Sequence, residues 1–148
     1  MDWTLELVVV PVSDVDRAKA FYIEQAGFHL DVDTGGSDFR VVQLSPPGSA
    51  CSIAIGTGIS SMQPGSLHGL HLIVPDVEAA RDELVRRGTE VGDIFHFGAA
   101  GQTPGLDPER RSYATFMPFQ DPDGNTWLVQ EVKRDWKLIE VKLDEVAA

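Results

Sequence analysis

The chain carries one pattern twice, and the duplication restricts the fold more than any other feature. Val8, Val10, Val12, Asp14 and Val15 return as Leu70, Leu72, Val74, Asp76 and Val77, always 62 residues further on. Alternating aliphatic residues followed by an acid predict a strand that runs into a capped helix. The helices share their apolar spacing too: Val15, Ala18 and Tyr22 against Val77, Ala80 and Leu84, at i, i+3 and i+7 on one helical face. Ser13 or Asp14 caps the first helix and Asp76 the second. Gly27 and Gly88 stand where a left-handed residue closes each helix.

Short apolar or alternating runs follow each helix. Residues 39–44 and 50–55 flank SPPG, and residues 113–119 and 126–132 flank DPDG, so each pair reads as a hairpin. Residues 28–33 and 93–97 supply one further strand per copy. The expected fold is α+β: two tandem β-α-β-β-β modules, about residues 5–56 and 67–132, in one domain over residues 1–133. Residues 134–148 form an extension whose Trp136, Leu138, Ile139, Val141 and Leu143 are too apolar for a plain tail. Helices on one side of a sheet leave its other face to form a cleft or meet a partner.

Composition narrows the function. A net charge of -11 works against nucleic acid and anionic membranes as partners. No run approaches the roughly 18 apolar residues of a membrane span, and no basic start precedes an apolar stretch as in a signal peptide. Cys51 is the single cysteine, which permits no internal disulfide and makes a reducing cytoplasm the expected location. There is no phosphate loop and no Ser-His-Asp spacing.

Candidate site residues each carry two readings. In FQDPDGNTWLVQE, residues 119–131, period-two alternation puts Trp127, Val129 and Glu131 on one face. Glu131 is either a polar anchor and proton acceptor in a cleft, or a strand-end charge paired with Lys133 or Arg134. His71 lies on the face of its strand opposite Leu70, Leu72 and Val74, as an acid–base group or a packed imidazole. Trp127, Tyr113 and Phe119 stack on a flat ligand or fill the core. His96 faces either way. The Gly- and Pro-rich stretch 98–113 has the length of a lid or binding loop. Within it, Arg110 and Arg111 hold an anionic ligand group or balance Asp107 and Glu109.

VVVPVSDVDRAKAFY, HLIVPDVEAARDELVRRG and DPDGNTWLVQE together resemble the vicinal oxygen chelate superfamily of glyoxalase I, bleomycin-resistance proteins, fosfomycin-resistance enzymes and extradiol dioxygenases. The resemblance extends to Glu131. It implies modules whose mixed sheets curl around a cleft, and a homodimer. It also implies metal ligands at the start of each first strand and the end of each last one, here Leu7, about Ile55, Gly69 and Glu131. Only Glu131 carries a donor, whereas a divalent ion needs several. The expectation is therefore a small-molecule-binding protein without a metal cofactor. The alternatives are a lyase, isomerase or dioxygenase using Glu131 and His71 as acid and base, with or without a metal site rebuilt from them and His96, and a regulatory subunit with a vestigial cleft. On the cleft reading, Glu131→Gln spares the fold and weakens ligand binding.

Overall fold

The computed structural model describes residues 1–133, so the expected extension at 134–148 lies outside the described residues. The first module is β1 (Leu7–Val9), α1 (Val15–Ala20) continued by a π-helical turn (Phe21–Gln25), β2 (His29–Gly35), β3 (Arg40–Ser45) and β4 (Ser52–Thr57). The second is β5 (Leu70–Val74), α2 (Val77–Arg86), β6 (Phe95–Gly98), β7 (Gly101–Pro104), β8 (Thr115–Gln120) and β9 (Thr126–Glu131). Each module makes its own mixed sheet, in the orders β1-β4-β3-β2 and β5-β9-β8-β6-β7. In both, the first strand pairs in parallel with the last and the other pairings are antiparallel. The second module exceeds the expected pattern by one strand. Residues 98–113, read as a loop, turn at Gly101 (φ 95°) and double back on β6 as the edge strand β7. An edge position explains how Gly101 and Pro104 fit in a strand whose sequence gave no strand signal.

Local chemistry sets the helix ends. Asp14 accepts a bond from the Arg17 N–H at 3.1 Å, and Asp76 accepts from the Glu78 and Ala79 N–H groups at 3.0 and 3.1 Å. Ser13 turns instead to Asp123 of the DPDG turn, its N–H donating to Oδ2 at 3.1 Å. Gly27 and Gly88 close the helices at φ 76° and 84°, a region costly for side chains with a Cβ.

One core serves both modules. Ala18, Phe21 and Tyr22 of the first helical segment and Val77 and Leu84 of α2 meet Val42, Leu44, Ile53 and Ile55 of one sheet and Met117, Phe119, Trp127 and Val129 of the other. Each sheet therefore has an inward face covered by helix and an outward face without one. Polar bonds fix the junction. The Tyr22 hydroxyl donates to Asp121 Oδ2 at 2.8 Å, the Trp127 indole N–H donates to the Tyr22 oxygen at 3.1 Å, and Asn125 Nδ2 donates to the Pro11 carbonyl at 2.8 Å. Burial, reinforced by the Asp121 charge, pushes the Tyr22 pKa far above the usual phenol range, so this hydroxyl remains a donor.

Candidate functional site

Register decides which side chains face outward. In parallel pairing, registered residues share a face. Leu70, Leu72 and Val74, which point inward, are registered with Trp127, Val129 and Glu131. His71 and Ile73, which point outward, are registered with Leu128 and Gln130. Phe116 lies opposite Gln130 and Pro118 opposite Leu128, and Phe95 lies opposite Phe116. The outward face of the second sheet thus carries Ile73, Gln130, Phe116 and Phe95 in one row and His71, Leu128 and Pro118 in the next. No charged side chain stands in either row.

The aromatic residues form a platform. Phe95 and Phe116 stack with centroids 5.4 Å apart, and Phe97 stands edge-on to them at 5.7 and 5.6 Å. The His71 ring meets Phe116 edge-on at 6.2 Å. Phe116 is buried by its neighbours, but Phe97 is 57% exposed, an unusual state for a phenylalanine in an ordered strand. Beside it lies a hollow of about 320 Å³ lined by Phe97, Arg111, Ser112, Tyr113, Ala114 and Phe116. A second hollow, of about 650 Å³, runs between β5 and the SPPG turn, with His71 and Ile73 on one wall and Pro46, Pro47 and Ser49 on the other. The polar groups of this face are linked: His71 Nδ1 lies 3.2 Å from Gln130 Oε1, and Gln130 Nε2 donates to the Tyr113 carbonyl at 3.0 Å.

Glu131 is elsewhere. Its side chain is 0% exposed and points under α2, where Oε2 accepts the Val77 N–H at 3.0 Å. Arg110 grips it with two donors, Nε to Oε1 at 2.9 Å and NH2 to Oε2 at 2.6 Å. The hydrogen bonds from Arg110 hold the carboxyl pKa below the usual range, against the opposing effect of burial. The same clamp shapes the loop. Arg110 (φ 51°) and Tyr113 (φ 70°) both adopt left-handed backbone, and the Tyr113 N–H donates to the Glu131 carbonyl at 2.9 Å. Arg111 is bound in a similar way to buried Asp107, NH2 to Oδ1 at 2.8 Å, which holds that carboxyl down to about 2.

These positions correct several expectations. Glu131 and His71 occupy opposite faces of the sheet, so the acid–base pair is not assembled. The row Trp127–Val129–Glu131 is the core row, because its register partners are the aliphatic row beneath α2. Trp127 and Phe119 stack on each other in the core at 5.9 Å, away from the outward face. His96 is registered with inward Thr115, and its Nδ1 meets the Gly105 carbonyl at 2.8 Å. Arg110 is committed to Glu131 instead of a cleft mouth. His71 and Tyr113 are the two expected site residues brought to the outward face. Phe95, Phe97, Phe116 and Gln130 were missed. The missed signal was parity: β9 must present its most apolar row to the helices, which leaves Leu128 and Gln130 outside.

A family model described as the glyoxalase/bleomycin resistance protein/dioxygenase superfamily matches residues 4–129. The chain belongs to this superfamily. Among solved glyoxalase/bleomycin-resistance structures, it is similar to TnmS3, an antibiotic binding protein from Streptomyces sp. CB03234. The two are 33% identical with a TM-score of 0.70, over 89% of this chain and 98% of that one. A glyoxalase/bleomycin resistance protein from the same Streptomyces is 34% identical, TM-score 0.67, over 86% and 100% of the two chains. YetH of Bacillus subtilis (strain 168), an uncharacterized protein, is 28% identical over 129 residues, 84% of this chain and 94% of its own.

The divalent metal that the superfamily implies does not fit the donors present. The positions expected to ligate it do not converge: Leu7 belongs to the outward face of the first sheet, Gly69 precedes β5 and has no side chain, and Ile55 and Glu131 are fully buried inward. Among the described residues, no three His, Cys, Asp or Glu side chains converge into a cation site.

Proposed function

We propose that this superfamily member binds a flat, largely apolar small molecule of the antibiotic class on the outward face of its second sheet, and acts by holding the ligand. One observation carries the reading: a chain of net charge -11 keeps the Phe97 ring exposed, backed by half-buried Phe95 and buried Phe116, beside a hollow. Exposed aromatic area of this kind is costly in water and suits stacking with a planar ligand. The likeness to an antibiotic binding protein at 33% identity supports the same class of ligand. The reading needs no metal, in keeping with the donor set. The test is calorimetric titration with a panel of polycyclic aromatic antibiotics. A member of the panel should bind, and Phe97→Ala, which removes an exposed ring, should weaken binding about tenfold while the melting temperature stays within a degree or two. Equal affinity of wild type and Phe97→Ala would sink the proposal.

The same reading includes a homodimer that closes the cleft. The first sheet also turns half-buried apolar residues outward, among them Leu7, Val9 and Val41, and β1 and β5 each stand at a sheet edge. Trp3 and Leu5, leading into β1, are exposed as well. A second copy of the chain buries these surfaces economically, since a two-fold interface uses the same patches twice. Sedimentation equilibrium at micromolar concentration should give twice the chain mass, and the double variant Trp3→Glu, Leu5→Glu should give the chain mass. A wild-type monomer at high micromolar concentration would refute the dimer.

A further inference from the structure

We infer that His71 selects, among flat ligands, those that carry an O–H or N–H donor on the ring edge; the inference rests on the aromatic face being the binding site. It follows from a chain of hydrogen bonds whose directions are fixed. The Tyr113 carbonyl only accepts, so the Gln130 side-chain group 3.0 Å from it is the NH2 group. That fixes the amide orientation and turns Oε1, an acceptor, toward His71. The atom 3.2 Å from Oε1 is His71 Nδ1, which must therefore be the donor. A neutral imidazole protonated at Nδ1 has a lone pair at Nε2.

That lone pair is available. Among the described residues, Nδ1 makes the one hydrogen bond of the imidazole and no protein donor reaches Nε2. The residue is exposed and its ring stands edge-on at the rim of the platform, 6.2 Å from Phe116. Its neighbours on the face, Ile73 on its own strand, Leu128 and Gln130 on β9, and Phe116 and Pro118 on β8, are all uncharged. The SPPG turn across the hollow offers Pro46, Pro47 and Ser49, again without charge. Among the described residues, the His71 Nε2 lone pair is thus an open acceptor at the edge of the platform. A ligand lying on the rings with a donor at its edge gains a bond, whereas one with a lone pair there meets another lone pair. Gln130 and the Tyr113 carbonyl are the positioning groups that set the tautomer.

Two measurements test this. Indole and 1-methylindole have the same ring and differ at the donor, so their affinities are compared by NMR titration of the full chain. Indole should bind about fivefold more tightly, the value of one neutral hydrogen bond. His71→Phe, which keeps a ring but removes the acceptor, should bring that ratio to unity; His71→Gln, whose amide oxygen accepts, should restore part of it. Independently, long-range 1H–15N spectra at pH 8 should show His71 protonated at Nδ1. An Nε2-protonated ring overturns the inference, as does an indole preference of unity in wild type or one unchanged in His71→Phe. If both probes bind equally and Phe97→Ala weakens both, the platform stands and only the selection by His71 fails. If neither probe binds, the platform reading fails and this inference falls with it.

Discussion

Glu131→Gln is expected to destabilise the fold by about 3 kcal/mol, the scale for breaking a buried, hydrogen-bonded charge pair. The amide has the right size and its oxygen still accepts the Val77 N–H. Its NH2 group, however, faces the Arg110 guanidinium, so a donor meets donors where the carboxylate took two bonds at 2.9 and 2.6 Å. For a chain of this length the loss lowers the melting temperature by roughly 6–12 °C. The pH dependence has a definite sign. The Glu131 carboxyl is held below its unfolded value, so its contribution is present above the ordinary carboxylate range and disappears as pH falls through the lower folded value. Chemical denaturation of wild type should therefore show a larger loss toward low pH than the glutamine variant, which keeps only the contributions of other held-down carboxyls such as Asp107. A paired replacement, Glu131→Leu with Arg110→Met, should recover much of the stability, because removing both charges avoids leaving either unpaired. A Glu131→Gln melting temperature within one degree of wild type would show that the carboxylate is solvated and that the clamp does not exist in solution.

This reverses what the sequence suggested for the same substitution, and the reversal shows where sequence reasoning reached its limit. The repeat at offset 62 located both first strands and both helices because alternation and capping are local signals. Asp14, Asp76, Gly27 and Gly88 all act at helix ends, as their positions implied. The inward row of β5 was also legible, as Leu70, Leu72 and Val74. The face of β9 was not, because it depends on a partner 57 residues away, through the register Leu70 with Trp127. A step of one position moves every side chain of a strand to the other face. The presence of an acid in the row suggested a cleft, but a row of Trp127, Val129 and Glu131 is apolar enough to belong to the core once Arg110 and the α2 N-terminus neutralise its last member. Arg110 arrives there from a loop with left-handed backbone, which no periodicity announces. Phe95 and Phe97 sat in a run whose parity was open, since His96 between them reads equally well inward or outward.

Trp127 gives the sharpest separation between a core role and a ligand role. Its ring stacks on Phe119 at 5.9 Å with 6° between the planes, and meets Tyr22 and Phe28 of the first module at 5.9 and 5.6 Å. It is 3% exposed, so a ligand on the outward face does not touch it. Truncation to alanine opens a large void at the junction of the modules and strips the Tyr22 oxygen of its indole donor; the expected cost is about 3–5 kcal/mol. Trp127→Phe keeps a ring between Phe119 and Phe28 and loses the indole N–H. Tyr22 still donates to Asp121, so no buried donor is orphaned and the cost falls to about 1 kcal/mol or a little more. The ranking distinguishes the roles, because a stacking residue in a ligand site would lose affinity in both variants with little change in stability. Urea denaturation and ligand titration on the same preparations give both quantities. The core assignment requires a large stability loss in Trp127→Ala, a small one in Trp127→Phe, and near wild-type affinity in the folded phenylalanine variant. An alanine variant that melts like wild type yet no longer binds ligand would return Trp127 to the binding site and move the site to the inward face.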